Sequence, residues 1–257
     1  MGKSFKFNSK EFSFTLILPI IISILYIFFQ GYKEQLALNR NNFSFWQIYT
    51  KDFINDNLNH YLKNLILIII FSIAIFIVLS KINKEYLFKY VLLSVSLTIP
   101  LISYFSDKYI MFNKTQSDLF LGSSSLASAL IGFFMFLFMF LYFQNINAKK
   151  TFILLLSIVI IPFLLVYYFR VHLNYLIVLL IMFILLRLSI KFKGGDIVSF
   201  INNDNIIKFL IIIFVYLILL NYAYPYDYRN INFLNHYFGI SFGVIIGNLS
   251  ALKWRLK

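Results

Sequence analysis

The chain has 257 residues, 61% of them hydrophobic and 13% charged, with a mean hydropathy of +0.82. That balance excludes a soluble globular domain and points to a polytopic membrane protein of the all-α class, a bundle of helices that satisfy their own backbone groups in lipid. The formal charge of +13 is not gathered into one face or tail as a nucleic-acid partner would need, and the lack of cysteine excludes disulfides, thiol nucleophiles and Cys-ligated zinc.

At about 20 apolar residues per crossing, the chain offers eight spans: Phe12 to Phe29, His60 to Ser80, Leu87 to Tyr104, Leu119 to Phe143, Thr151 to Phe169, Leu173 to Ile190, Ile206 to Tyr222, and Leu234 to Leu252. Lys3, Lys6 and Lys10 before the first run resemble a signal sequence, but the run is long and lacks a small-x-small cleavage site, so it reads as a retained span. The outer stretch 31–59 is amphipathic, with Phe43, Phe45, Trp46, Ile48 and Tyr49 beside Arg40, Asp52 and Asp56. It is expected to lie in the interface with Trp46 at headgroup level, as an aromatic anchor or with a further role. The short connection Tyr168 to His172 makes 151–190 an extra helical hairpin, although Pro162 could equally kink one irregular segment. With the N-terminus inside, inner segments hold 15 of the 23 Lys and Arg, which predicts a single multi-pass domain over 1–257 in the cell membrane with both termini cytoplasmic.

The segment Leu121 to Phe136, LGSSSLASALIGFFMF, opens with hydroxyls and carries Ser124, Ser128 and Gly132 as a small-residue stripe on one helical face. His236, Gly239, Gly243 and Gly247 form a second stripe in the last span. Two such helices can approach until their backbones nearly touch, with Ser128, Gly132, Gly239, Gly243 and Gly247 as the packing residues, and Ser124 then meets His236. His60 and Asn64, one turn apart, share a face of the second span. His172, beside Arg170, suits a solvated or interfacial role.

The second, fourth and eighth spans all run outside to inside in this topology. Counting back from Lys81, Lys149 and Lys253 puts His60, Ser124 and His236 roughly 26 to 37 Å above the inner basic residues, in one layer at three helix N-termini. Unpaired N–H groups and a partial positive charge there favour an oxyanion, while a serine beside a histidine supplies nucleophile and base. These are the parts of an acyl-transfer site. The same small residues also suit helix packing alone, and the same histidines a structural role or a proton relay.

These residues resemble the rhomboid family of intramembrane serine proteases. Trp46-Gln47-Ile48-Tyr49-Thr50, Phe53 and His60 to Asn64 are similar to the family's W-R-x-x-T, F and H-x-x-x-N series; Gly122 to Ser125 with Ala129, Leu130 and Gly132 is similar to G-x-S-G-x-x-x-A-L-x-G; and His236, Gly239 and Gly243 are similar to H-x-x-G-x-x-x-G. The resemblance implies a Ser124 nucleophile, His236 as general base and later acid, and an oxyanion hole of His60, Asn64 and the Ser124 N–H. It also implies transmembrane protein substrates that enter sideways from the bilayer, unwind and are cut beside a small residue. Four positions depart from the family pattern: Gln47 for Arg, Asn55 for His, Ser125 for Gly and Ser128 for an aromatic. The usual core has six helices with one between the Ser and His helices, whereas this chain has room for three there, an odd number that preserves the direction of the last helix. No nucleotide-binding loop, metal-ligand cluster or haem signature is present in the sequence, so no cofactor, nucleotide or nucleic acid is expected. The alternatives are a non-catalytic protein of the same fold that binds transmembrane clients, and a carrier using His60, Asn64 and His236 as a relay.

Overall fold

The computed structural model describes residues 9–39, 44–108, 119–142 and 233–254. All of them fall in one unit of the chain. The spans expected from Thr151 to Tyr222, with the hairpin at 151–190 and His172, lie outside the described residues.

The described chain is mostly helical. Helices α1 (Ser9–Ser13), α2 (Ile17–Phe29) and α3 (Lys33–Leu36) follow one another through two short 3-10 turns, Phe14–Leu16 and Gln30–Tyr32. Pro19 explains the first turn: it lacks an N–H and its ring crowds the carbonyl four residues back, so the backbone tightens just before it. Helical structure thus runs to Leu36, beyond the expected end at Phe29, because Lys33-Glu34-Gln35-Leu36 are all good helix formers. The rest of the outer stretch holds strand β1 (Leu38–Asn39), helix α4 (Gln47–Thr50) and a 3-10 turn, Lys51–Phe53.

Helix α5 (Leu58–Lys81) starts two residues before His60, because the Asn57 side chain caps it by accepting from the His60 N–H at 2.9 Å. It ends in a Schellman turn in which Asn83, at φ 55°, donates to Ser80 O while Lys84 donates to Leu79 O. This closes the connection to α6 (Leu87–Ser106). Strand β2 (Leu119–Phe120) pairs antiparallel with β1, Leu38 opposite Phe120 and Asn39 opposite Leu119, a small exception to the all-α expectation. That pairing, and Gly122 at φ +139°, delay α7 (Ser124–Tyr142) past its expected start at Leu119. The last described helix is α8 (Phe233–Trp254).

Among the described residues, three helical stretches are long and apolar enough to cross a membrane: Ser9–Leu36, Leu58–Lys81 and Leu87–Ser106. Their outward faces carry unbroken apolar stripes, such as Leu62, Ile66 and Ile70 on α5 and Ile20, Ile24, Ile27 and Phe28 on α2. Such stripes are unfavourable in water and suited to lipid. Helix α7 is instead wrapped by its neighbours, with Leu126, Ala127, Ala129, Leu130, Ile131 and Phe133 all buried. Among the described helices it is the central one.

Candidate active site at the N-terminal ends of α5, α7 and α8

Helices α7 and α8 meet along the two small-residue stripes. A side chain at Gly132 would collide with Ile240 O and one at Gly243 with Ala129 O, while a Cβ at Gly239 would lie 2.5 Å from Ser125 O and 2.8 Å from Ser128 Cβ. At Gly247 the obstacle is the Phe136 ring. At Gly132, Gly239 and Gly243 backbone therefore rests on backbone, which only glycine there permits. Residue numbers rise together across the seam, so the helices are parallel, and one turn before the Gly239 contact lie Ser124 and His236. Helix α5 runs the same way, since its His60 lies by Gly122 and its Phe71 ring packs on Phe134 with centroids 5.4 Å apart.

Each expected site residue can now be placed. Ser124 is the first residue of α7 and is 8% exposed; His236, in the first turn of α8, is 4% exposed. His60, half-buried in the first turn of α5, flanks the same glycine as the serine: a Cβ at Gly122 would be 3.2 Å from His60 Cε1 and 3.9 Å from Ser124 Oγ. Asn64 is fully buried, and its Nδ2 donates to Asn55 Oδ1 at 2.9 Å. Three parallel helices thus present their N-termini, with the attendant N–H groups and partial positive charge, to one layer. Among the described residues no hydrogen bond joins Ser124 Oγ to His236.

The four departures from the family pattern each have a structural task. Gln47 ties the outer stretch together, its Nε2 donating to Gln35 O at 2.8 Å and its Oε1 accepting from Ser44 N at 2.8 Å. Asn55 Oδ1 accepts from Ser123 Oγ as well as from Asn64, linking the α7 entrance to α5. Ser128 is the floor on which Gly239 rests. Ser125, inside the helix, donates from Oγ to Asp52 Oδ1 at 2.8 Å. Trp46 and Phe45 are both exposed.

Sequence reasoning missed the polar cluster beside this layer. Lys51 is 1% exposed, and its Nζ lies 2.7 Å from Asp107 Oδ2, 2.6 Å from Ser103 Oγ and 3.5 Å from Asp52 Oδ1. Ser103 donates onward to Asp52, and Asn235 Nδ2 donates to Asp107 Oδ1 at 3.0 Å. Burial works against the Lys51 ammonium, but Asp107 and Asp52 outweigh it and hold Lys51 above its ordinary value. Burial also pushes the Asp52 and Asp107 carboxyls above the usual carboxylate range, despite the attraction of Lys51. Asp52, expected with Asp56 on the polar side of an interfacial loop, is buried, whereas Asp56 is exposed in a surface pair with Lys33. The one available signal was position: Lys51-Asp52 lies inside the block from Trp46 to Asn64 that supplies His60 and Asn64.

Neither a scan against protein-family models, nor a search of curated proteins, nor a search of solved structures returns a match to this chain.

Proposed function

We propose that the chain is an intramembrane serine endopeptidase of rhomboid type that cleaves membrane proteins in or near their transmembrane segments, close to the outer face of the cell membrane. The parallel α7–α8 seam is the observation that carries this reading, because it aligns the first turns of the helices bearing Ser124 and His236 with His60 beside them. In this reaction Ser124 Oγ attacks the scissile carbonyl carbon and its proton passes to a ring nitrogen of His236. The tetrahedral oxyanion is held by the Ser124 N–H, His60 and Asn64 at the helix N-termini. His236 then returns the proton to the leaving amine, and water, activated by the same ring, hydrolyses the acyl-serine ester.

A second reading, a non-catalytic protein that binds transmembrane clients, draws on the departures from the family pattern at Gln47, Ser125 and Ser128. The deciding experiment is labelling by a fluorophosphonate in lipid nanodiscs, alongside cleavage of a helix-destabilised transmembrane test substrate. Labelling and cleavage that both vanish in Ser124→Ala are the expected outcome. A folded wild-type protein that neither labels nor cleaves overturns the protease reading in favour of the second.

A further inference from the structure

The Lys51 cluster holds the residue next to each of Ser124 and His236. Asp52 accepts from Ser125, which follows the serine, and Asp107 accepts from Asn235, which precedes the histidine. Lys51 joins the two carboxylates, and Ser103 bridges Lys51 to Asp52. Every one of these side chains is buried, so each bond is shielded from competing water. The glycine seam alone does not fix the pair. Backbone packed on backbone limits how far apart the helices sit, but a smooth stripe resists sliding weakly, whereas a hydrogen bond to a fixed charge has a definite length and direction.

The geometry points to Lys51, Asp52 and Asp107 as positioning residues for Ser124 and His236: one buried ion cluster grips Ser125 on α7 and Asn235 on α8 and so sets the register of the two first turns that carry the hydroxyl and the imidazole. This inference rests on the protease reading for its chemical consequence, but not for its structural one. The cluster also anchors the outer stretch to the same point, since Lys51 O accepts from Gly122 N at 2.9 Å.

The test uses the full chain in lipid nanodiscs and two readouts. Fluorophosphonate labelling of Ser124 is expected to slow by about tenfold in Ser125→Ala and in Asn235→Ala, the rate equivalent of one hydrogen bond to a charged group. Adding Asp52→Asn to the first or Asp107→Asn to the second is expected to slow it by less than the same replacement slows the wild type, because the bond to Ser125 or Asn235 is already gone. The second readout is the ring NMR signals of the histidines, of which the chain has only three. Those of His236 are expected to shift in Asn235→Ala and in Asp107→Asn. Wild-type labelling rates in both alanine variants, with an unshifted His236 ring, overturn the positioning role and leave the protease reading intact. A wild-type protein that does not label overturns the protease reading, and the His236 signals alone then decide whether the cluster sets the register. If the Asn235 variant does not fold, Ser125→Ala and Asp107→Asn carry the same two comparisons.

Discussion

Two neighbouring regions hold α7 against its partners by opposite means. Along the seam with α8 the chain removes side chains until main chains touch, so attraction comes from dispersion over a smooth, dry surface. At the end of that seam it concentrates one ammonium, two carboxylates, two hydroxyls and an amide in a volume from which water is excluded. The first arrangement tolerates small displacements and punishes added volume. The second tolerates neither a missing partner nor a shifted one, because an unmatched buried charge keeps its full desolvation cost.

The contrast breaks most sharply at Lys51. Replacing it by Met leaves two buried carboxyls without their cation and is expected to cost about 3–5 kcal/mol of stability, measured as thermal unfolding in detergent. Adding Asp52→Asn and Asp107→Asn is expected to restore much of that loss. A single Lys51→Met replacement with an unchanged melting temperature would show that the cluster contributes nothing to the fold.

The seam responds to volume rather than charge. Gly243→Ala places a methyl against Ala129 O and Phe133 N, backbone atoms that can yield only by separating the helices, at a cost of about 1–3 kcal/mol or somewhat more. Gly31, where an added Cβ meets nothing within 4 Å, is the control, and its alanine variant should melt as the wild type does. Equal melting of all three proteins would mean that the seam is looser than described.

The smallest effect is on the acid side and sharpens the cluster's identity. Both carboxyls lie above their ordinary value of 3.8, so the folded protein takes up a proton at a pH where the unfolded chain does not. Stability contributed by this site therefore rises as the pH falls from neutral toward about 4. Lys51, raised above 10.5, stays charged throughout that window, and its contribution is lost only on the far alkaline side. Melting temperatures followed from neutral to mildly acidic pH should climb, and Asp107→Asn should flatten the climb.

The same contrast explains what the sequence discloses. A packing stripe has a period, and Ser128 against Gly239 could be read from it, whereas Ile240 against Gly132 and Ala129, Phe133 and Phe136 against Gly243 and Gly247 lie off the two stripes. Asn235 reaches Asp107 across 128 residues, and Lys51 reaches Asp107 across 56, with no repeat to announce either contact. Helix centres were legible from hydropathy, whereas their ends were set by local chemistry that hydropathy does not weigh: the Asn57 cap on α5 and the β1–β2 pairing before α7. The resemblance named His60 and Asn64 but not the partner that anchors Asn64, because Asn55 had been read only as a departure from the family pattern.

Gly122 shows how tightly this end of the bundle is filled. Its left-handed backbone and the imidazole of His60 compete for the same few cubic ångströms, so what one position gains in size the other must surrender. Yet the trade is one-sided: trimming residue 60 would make room for a methyl at 122 without relieving the φ of +139° that only glycine accepts cheaply. A lineage of this chain could thus discard its histidine and still be unable to give up its glycine.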